Sequence, residues 1–179
     1  MKRIIVLGCS GSGKSTFSRQ LGEKIGSNVY HLDAYYWNPD WKAADPETFD
    51  SIVTELTAED EWIIDGNYSR TLDLRLKRSD TVILFDFPRS ICLYRALKRR
   101  LQYHGRSRPD MGQGCREKID FAFLRWIWQF RKRNRPKLLA KLERVRLSQD
   151  VIVFRRPRDA RDYLKETASA LNRIAGQPD

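Results

Sequence analysis

Along this chain, short apolar runs alternate with longer stretches whose apolar positions recur every three or four residues. Arg3-Ile4-Ile5-Val6-Leu7 is a β-branched run suited to a buried parallel strand. Ser15 to Ile25 follows, with Phe17, Leu21 and Ile25 four apart on one face of a helix. Asn28 to Asp33 predicts a second strand, Glu61 to Gly66 a third, Thr81 to Asp86 a fourth and Asp150 to Arg155 a fifth. Asp45-Pro46-Glu47 has the cap residue and first-turn proline of a helix start, with Phe49, Ile52, Val53 and Leu56 inward. Pro88 opens another helix, and Ala160 to Ile174 forms a last one with Leu164, Ala168 and Leu171 inward. Strands alternating with helices through right-handed crossovers predict an α/β fold: a five-stranded parallel sheet with helices on both faces, in one domain.

Three stretches break this rhythm. Ala34-Tyr35-Tyr36-Trp37-Asn38-Pro39-Asp40-Trp41 is aromatic and turn-rich, and reads as a loop over a site or a surface loop anchored by its rings. Gln102 to Gly114 holds Gly105, Pro109, Gly112 and Gly114 with Arg106 and Arg108, the makings of a hinged, basic lid within an insert at about 102–135. Ile119, Phe123, Trp126, Ile127 and Phe130 form a helical stripe that Phe121, Leu124 and Trp128 widen nearly all the way round. Burial against the domain or in a homodimer would cover it, and Pro136 interrupts the pattern.

With 179 residues the chain suits one sizeable α/β domain. No run approaches the roughly 18 apolar residues of a membrane helix. Cys9, Cys92 and Cys115 are odd in number and form no C-x-x-C pair, which fits a reducing cytoplasm. The formal net charge of +11 predicts an anionic partner: a nucleotide, a phosphorylated substrate or nucleic acid.

Between the first strand and helix stands Gly8-Cys9-Ser10-Gly11-Ser12-Gly13-Lys14-Ser15-Thr16, which fits G-x-x-x-x-G-K-[ST], the phosphate-binding loop. Strand, glycine loop and helix in that order form the context this motif requires. Backbone N–H groups of Ser10 to Thr16 and the helix N-terminus would cradle the phosphates of a nucleoside triphosphate. Gly8, Gly11 and Gly13 permit close approach. Lys14 would meet the β- and γ-phosphates, and the Ser15 hydroxyl would ligate Mg²⁺. A P-loop NTPase three-layer sandwich follows, with ATP and Mg²⁺ as the expected cofactors.

Three predicted strands finish in Asp33, Asp65 and Asp86, which puts three carboxylates near one rim of the sheet. Asp65 and Asp86 compete as the acid on the metal side, and Gly66 after Asp65 favours the former. Arg95 and Arg99, four apart, stack on one helical face where they would clamp a polyphosphate.

The glycine loop, Asp65-Gly66-Asn67-Tyr68-Ser69-Arg70-Thr71 and Arg95-Ala96-Leu97-Lys98-Arg99-Arg100 occur in the order seen in the adenylate-kinase-like P-loop kinases, which the chain resembles. That resemblance implies that Asp65 holds water on Mg²⁺ and Arg70 grips an acceptor phosphate. It also implies that Arg95 lies against adenine and Arg99 meets phosphate. His31-Leu32-Asp33, the Trp37 to Trp41 stretch, Asp65-Gly66-Asn67-Tyr68 and Arg106-Ser107-Arg108-Pro109-Asp110 look like the DNA topology modulation protein (FlaR-like) family, over nearly the whole chain. The segment before Arg70 is one residue longer than the adenylate kinase pattern, and the aromatic stretch stands where those kinases carry an AMP-binding insert.

The expected activity is transfer of the ATP γ-phosphoryl group to a small, nucleoside- or nucleotide-like acceptor. Lys14 and Arg99 would stabilise the transferring group, and Ser15 and Asp65 would organise Mg²⁺. Asp33 would orient or deprotonate the acceptor hydroxyl. Trp37, Tyr68, Arg70, Arg106 and Arg108 complete the expected acceptor site, the last two arriving with the lid. The alternative is an ATP-binding regulator associated with nucleic acid, motivated by the charge and the basic aromatic helix but matched by no nucleic-acid-binding motif. His31 and His104 are expected to be structural.

Overall fold

The structure, a computed structural model, describes residues 1–103, 110–112, 114–115 and 120–174. The order of elements is β1 (Arg3–Gly8), α1 (Lys14–Ile25), β2 (Val29–His31), α2 (Leu32–Tyr36), β3 (Trp37–Asn38), a 3₁₀ turn (Pro39–Trp41), β4 (Lys42–Ala43), α3 (Pro46–Leu56) and β5 (Trp62–Asp65). Then come α4 (Ser69–Arg78), β6 (Thr81–Phe85), α5 (Arg89–Gln102), α6 (Phe121–Arg133), α7 (Arg135–Val145), β7 (Asp150–Phe154) and α8 (Pro157–Ile174).

The main sheet runs β2-β5-β1-β6-β7, with every pairing parallel. The chain steps outward from β1 to β2 through α1, then returns across the sheet through α3, α4 and the α5–α7 segment. Right-handed crossovers that reverse direction in this way place α1 on one face and α3, α4 and α5 on the other. α8 comes back to pack on α1, where Phe17 meets Phe85, Phe154 and Tyr163 edge-on or tilted. Ile4, Ile5, Val6 and Leu7 of the central strand are wholly buried, as a strand covered on both faces demands. Order reverses at β1, so the crevice at its carboxyl end is the place where a doubly wound sheet takes ligands.

Three expectations from the sequence are corrected, and one helix went unpredicted. The second strand stops at His31, and Asp33 belongs to the short helix α2 rather than to a strand end. The aromatic stretch is structured: α2 leads into the antiparallel β3–β4 hairpin, where Tyr36 packs against Trp37, Phe49 and Tyr68. Helix α4 lacks an advance signal because Leu72, Leu74 and Leu76 repeat every second residue, whereas its buried face is Thr71, Leu72, Arg75 and Leu76. Finally, the domain alone does not bury most of α6: Ile127 and Phe130 are inside, but Phe121 is 80% and Trp128 51% exposed in the single chain. One helix face suffices to dock on α5, and the surplus apolar residues face solvent, Trp128 under the Arg89 guanidinium at 3.7 Å. Among the described residues no helix is long and apolar enough to cross a membrane.

Candidate active site

The glycine loop emerges from β1 and wraps the start of α1. Gly11 has φ +78°, and a Cβ there would lie 2.2 Å from the Cys92 carbonyl oxygen, so the loop is seated directly on the α5 backbone. Residues Ser10 to Thr16 line a cleft of about 1240 Å³. The Lys14 ammonium lies at its floor, donating to the Cys9 carbonyl at 3.1 Å. Cys9 itself is buried, and its contact with Cys92 together with burial pushes its thiol well up; it fills space rather than reacting.

From α5, Arg95 and Arg99 both line the cleft, as their spacing predicts. Arg95 donates to the Ser12 carbonyl at 2.9 Å and lies 5.8 Å from the Phe87 ring centre, beside the loop. From the opposite side of β1 come Asp65 at the end of β5, Asp33 on α2, Trp37 at the hairpin and Tyr68 before α4. Tyr68 donates its hydroxyl to Asp33 Oδ1 at 2.6 Å. Burial, then the Asp33 charge, hold the phenol well above its ordinary range, so it remains a donor.

Two expected residues lie elsewhere. Arg70 is turned away from the cleft: at the second position of α4 it reaches across to α3 and bonds Asp50 at 2.7 Å, well exposed. Asp86 is held by Arg135 through two bonds of 2.6 and 2.7 Å and does not line the cleft. Arg106 and Arg108, with His104, fall outside the described residues.

Three residues matter that the sequence did not single out for this place. His31, expected to be structural, lines the cleft with its Nδ1 2.8 Å from Asp65 Oδ2. Burial lowers its pKa, but the bond and charge of Asp65, aided by Asp110 and Asp33, outweigh that and raise it. The raised value makes this pair's contribution complete below the unfolded value of 6.5 and lost as pH rises through the folded value. Metal-free protein should therefore melt progressively earlier as pH climbs past neutrality, and His31→Asn should flatten that slope in thermal scans.

Asn67 binds the Gly8 peptide on both sides, accepting from its N–H at 3.0 Å and donating to its carbonyl at 2.9 Å. Arg75, wholly buried, donates to the carbonyls of Gly66, Asn67 and Tyr68 at 2.8, 2.8 and 2.9 Å. Burial pushes its guanidinium down to about 9, still cationic at neutral pH, with the Asp65 charge opposing the fall. A leucine-rich helix with one arginine inward thus ties down the turn that carries Asn67 and Tyr68. Asn67→Ala should lower stability by about 1–3 kcal/mol, the usual result of leaving part-buried backbone groups unsatisfied, and weaken ATP binding. Calorimetric melting and nucleotide titration of the same variant would read both effects.

No protein-family model matches the chain. The uncharacterized protein YqaC of Bacillus subtilis (strain 168) is 28% identical over 127 residues, which span 70% of each chain. Shikimate kinase from Acinetobacter baumannii, solved in complex with shikimate, superposes with a TM-score of 0.54 at 17% identity, covering 98% of this chain and 94% of that one. Shikimate kinase from Bacteroides thetaiotaomicron gives 0.51 at 18% identity over 98% of both chains. The fold is that of the P-loop kinases. A gluconokinase from Sinorhizobium meliloti 1021 gives 0.50 at 15% identity over 98% of this chain and 94% of its own.

Within the P-loop kinase fold, the glycine loop occupies the crevice where sheet order reverses, and α2 with the β3–β4 hairpin forms the facing wall. Gly112 closes that wall from behind, where a Cβ would stand 2.6 Å from the Trp37 carbonyl oxygen. The Cys115 thiol also lies against the Trp37 and Asn38 carbonyls, at 3.6 and 3.1 Å.

Proposed function

We propose that this protein is a small-molecule kinase that transfers the γ-phosphoryl group of ATP, with Mg²⁺, to the hydroxyl of a nucleoside- or nucleotide-like acceptor. The observation that carries the reading is a single cleft in which a complete glycine loop faces two carboxylates, Asp33 and Asp65, across β1.

The residues present suit both ligands. Ser10 to Thr16 offer backbone donors and a helix N-terminus to the phosphates, with Lys14 and Arg99 as cations and Arg95 beside the base. For Mg²⁺, the hard oxygens of Ser15 and Asp65 are the candidate holders. Mg²⁺ carried by a nucleotide commonly uses one or two protein oxygens, the rest being phosphate and water. When bound, it would neutralise charge on the β- and γ-phosphates. Asp86, engaged by Arg135, is the weaker candidate.

In the transfer, the acceptor oxygen forms a bond to the γ-phosphorus, the bond from that phosphorus to the bridging oxygen breaks, and ADP leaves. The hydroxyl proton passes to Asp33, whose carboxylate accepts from the Tyr68 hydroxyl at 2.6 Å. Trp37 and Tyr68 wall the acceptor. A lid within 102–135 bringing Arg106 and Arg108 to the transferring group completes the proposal, with Arg70 reaching the acceptor only by leaving Asp50. We place the activity in the cytoplasm, where its three free thiols would stay reduced.

The resemblance to the DNA topology modulation family keeps a second reading in view, an ATP-binding regulator acting with nucleic acid; the exposed Trp128 and Phe121 with neighbouring arginines favour it. Labelled γ-phosphate from ATP, followed across nucleosides, nucleotides and sugars, separates the two. Kinase activity predicts a phosphorylated small product. ATP turnover stimulated by DNA, with no small acceptor labelled, would favour the regulator instead.

A further inference from the structure

One three-residue turn touches both halves of the cleft. Gly66, Asn67 and Tyr68 lie between the Asp65 end of β5 and the start of α4. Toward the nucleotide, Asn67 holds the Gly8 peptide, and the Gly66 N–H donates to the Val6 carbonyl at 3.2 Å. Toward the acceptor, the Tyr68 hydroxyl reaches Asp33 on α2. A shift of this turn would disturb the glycine loop and the candidate base together.

The backbone here is not relaxed. Tyr68 sits at φ +21° and ψ +81°, a conformation that a residue with a side chain adopts at a cost of about 1–3 kcal/mol. It persists only where the surroundings over-determine it. Around the ring, Tyr36 and Phe49 stand with centroids 4.8 and 5.0 Å away. Around the backbone, the Arg75 fork spans all three carbonyls of the turn, one on Nη1 and two on Nη2. Thr71 adds its N–H to the Tyr68 carbonyl at 3.2 Å. Burying this guanidinium is unfavourable in itself, and among the described residues its Nε has no partner. What offsets the burial is the turn that the other two nitrogens hold.

Resting on the kinase reading of the cleft, we propose that Arg75 is a positioning residue for phosphoryl transfer. By holding the strained 66–68 turn it seats the glycine loop through Asn67 and aims the Tyr68 hydroxyl at Asp33. Arg75 does not itself line the cleft, so it acts through these two arms. Without the fork the turn relaxes toward an ordinary φ, which swings the Tyr68 hydroxyl off Asp33 and loosens Asn67 from the Gly8 peptide. Loss through the first arm falls on kcat, because Asp33 loses a donor that orients it toward the acceptor hydroxyl. Displacements of about 1 Å far from the chemistry can lower a rate about 10²-fold. Loss through the second arm falls on ATP affinity, because the N–H groups of the loop lose their preset directions.

The test uses the full chain and two readouts. One is kcat with ATP and whichever nucleoside, nucleotide or sugar the wild type phosphorylates. The other is calorimetric affinity for a non-hydrolysable ATP analogue with Mg²⁺. Arg75→Lys keeps the charge but replaces the planar fork with a single point, and Tyr68→Phe removes only the hydroxyl. Each should lower kcat about tenfold or more in a chain that still melts cooperatively. Combined, they should lower it no further than the worse single variant, since the arginine acts through that hydroxyl. Analogue binding should weaken about fivefold in Arg75→Lys and in Asn67→Ala, no further when the two are combined, and not at all in Tyr68→Phe. Losses of kcat that multiply in the Arg75–Tyr68 double variant would overturn the proposal, as would wild-type kcat in either folded single. Should Arg75→Lys fail to fold, Arg75→Gln takes its place, and loss of fold in both would make the arginine structural only and end the proposal. A wild type that phosphorylates nothing on the panel sinks the kinase reading instead. The affinity measurements on Arg75 and Asn67 then decide the arginine's part by themselves, and losses that multiply there overturn it.

Discussion

Replacing Lys14 with alanine is expected to lower ATP turnover by about 10²–10³-fold, the usual loss when a preorganised charge stabiliser is removed, while the protein melts as before. The ammonium donates to the Cys9 carbonyl at 3.1 Å, in the cleft rather than in the apolar core. Removing it therefore leaves the packing of β1 and α1 intact, because Phe17 and Leu21 make the buried face of that helix. Turnover and a thermal melt on the same preparation check both halves. Undiminished turnover would remove Lys14 from the mechanism, and a lost fold would mean that the lysine serves structure instead.

The second large effect separates the two acids. Asp65→Asn should cut phosphoryl transfer by roughly 10²-fold or more by removing a charge from the Mg²⁺ side of the cleft. Raising the Mg²⁺ concentration should recover part of the loss if that charge acts through the metal. Asp86→Asn should behave differently. Its carboxylate holds Arg135 at the start of α7, so loss of that charge-assisted pair should lower stability by about 1–3 kcal/mol and leave turnover near wild type. Equal losses of turnover in the two variants would deny Asp65 its special place.

The five strands of the main sheet were legible because each is a short apolar run bounded by turns, and their parallel arrangement because helices alternate with them. The phosphate loop was legible because its glycines and lysine are spaced by the geometry of phosphate binding. What stayed hidden depended on side chains whose partners are far along the chain. Asn67 and Gly8 are 59 positions apart and meet only because β5 pairs with β1 in register. His31 and Asp65 face each other for the same reason, across β2 and β5. Arg75 misleads in a different way: an arginine in a helix is read as solvent-facing, yet three carbonyls of a tight turn compensate its burial. Arg70 misleads through resemblance, since a motif match carries no information about a competing acid, here Asp50 from a helix the motif does not include.

The seating of the hairpin bears on any attempt to re-engineer this protein's cleft. Gly112 has no room for even one methyl beside Trp37, and Cys115 rests on the carbonyls of Trp37 and Asn38. A replacement hairpin grafted alone from another chain would collide with its own backing, so the two segments must be transplanted as one cassette. The glycine loop, anchored separately on α5 through Gly11, can stay behind untouched.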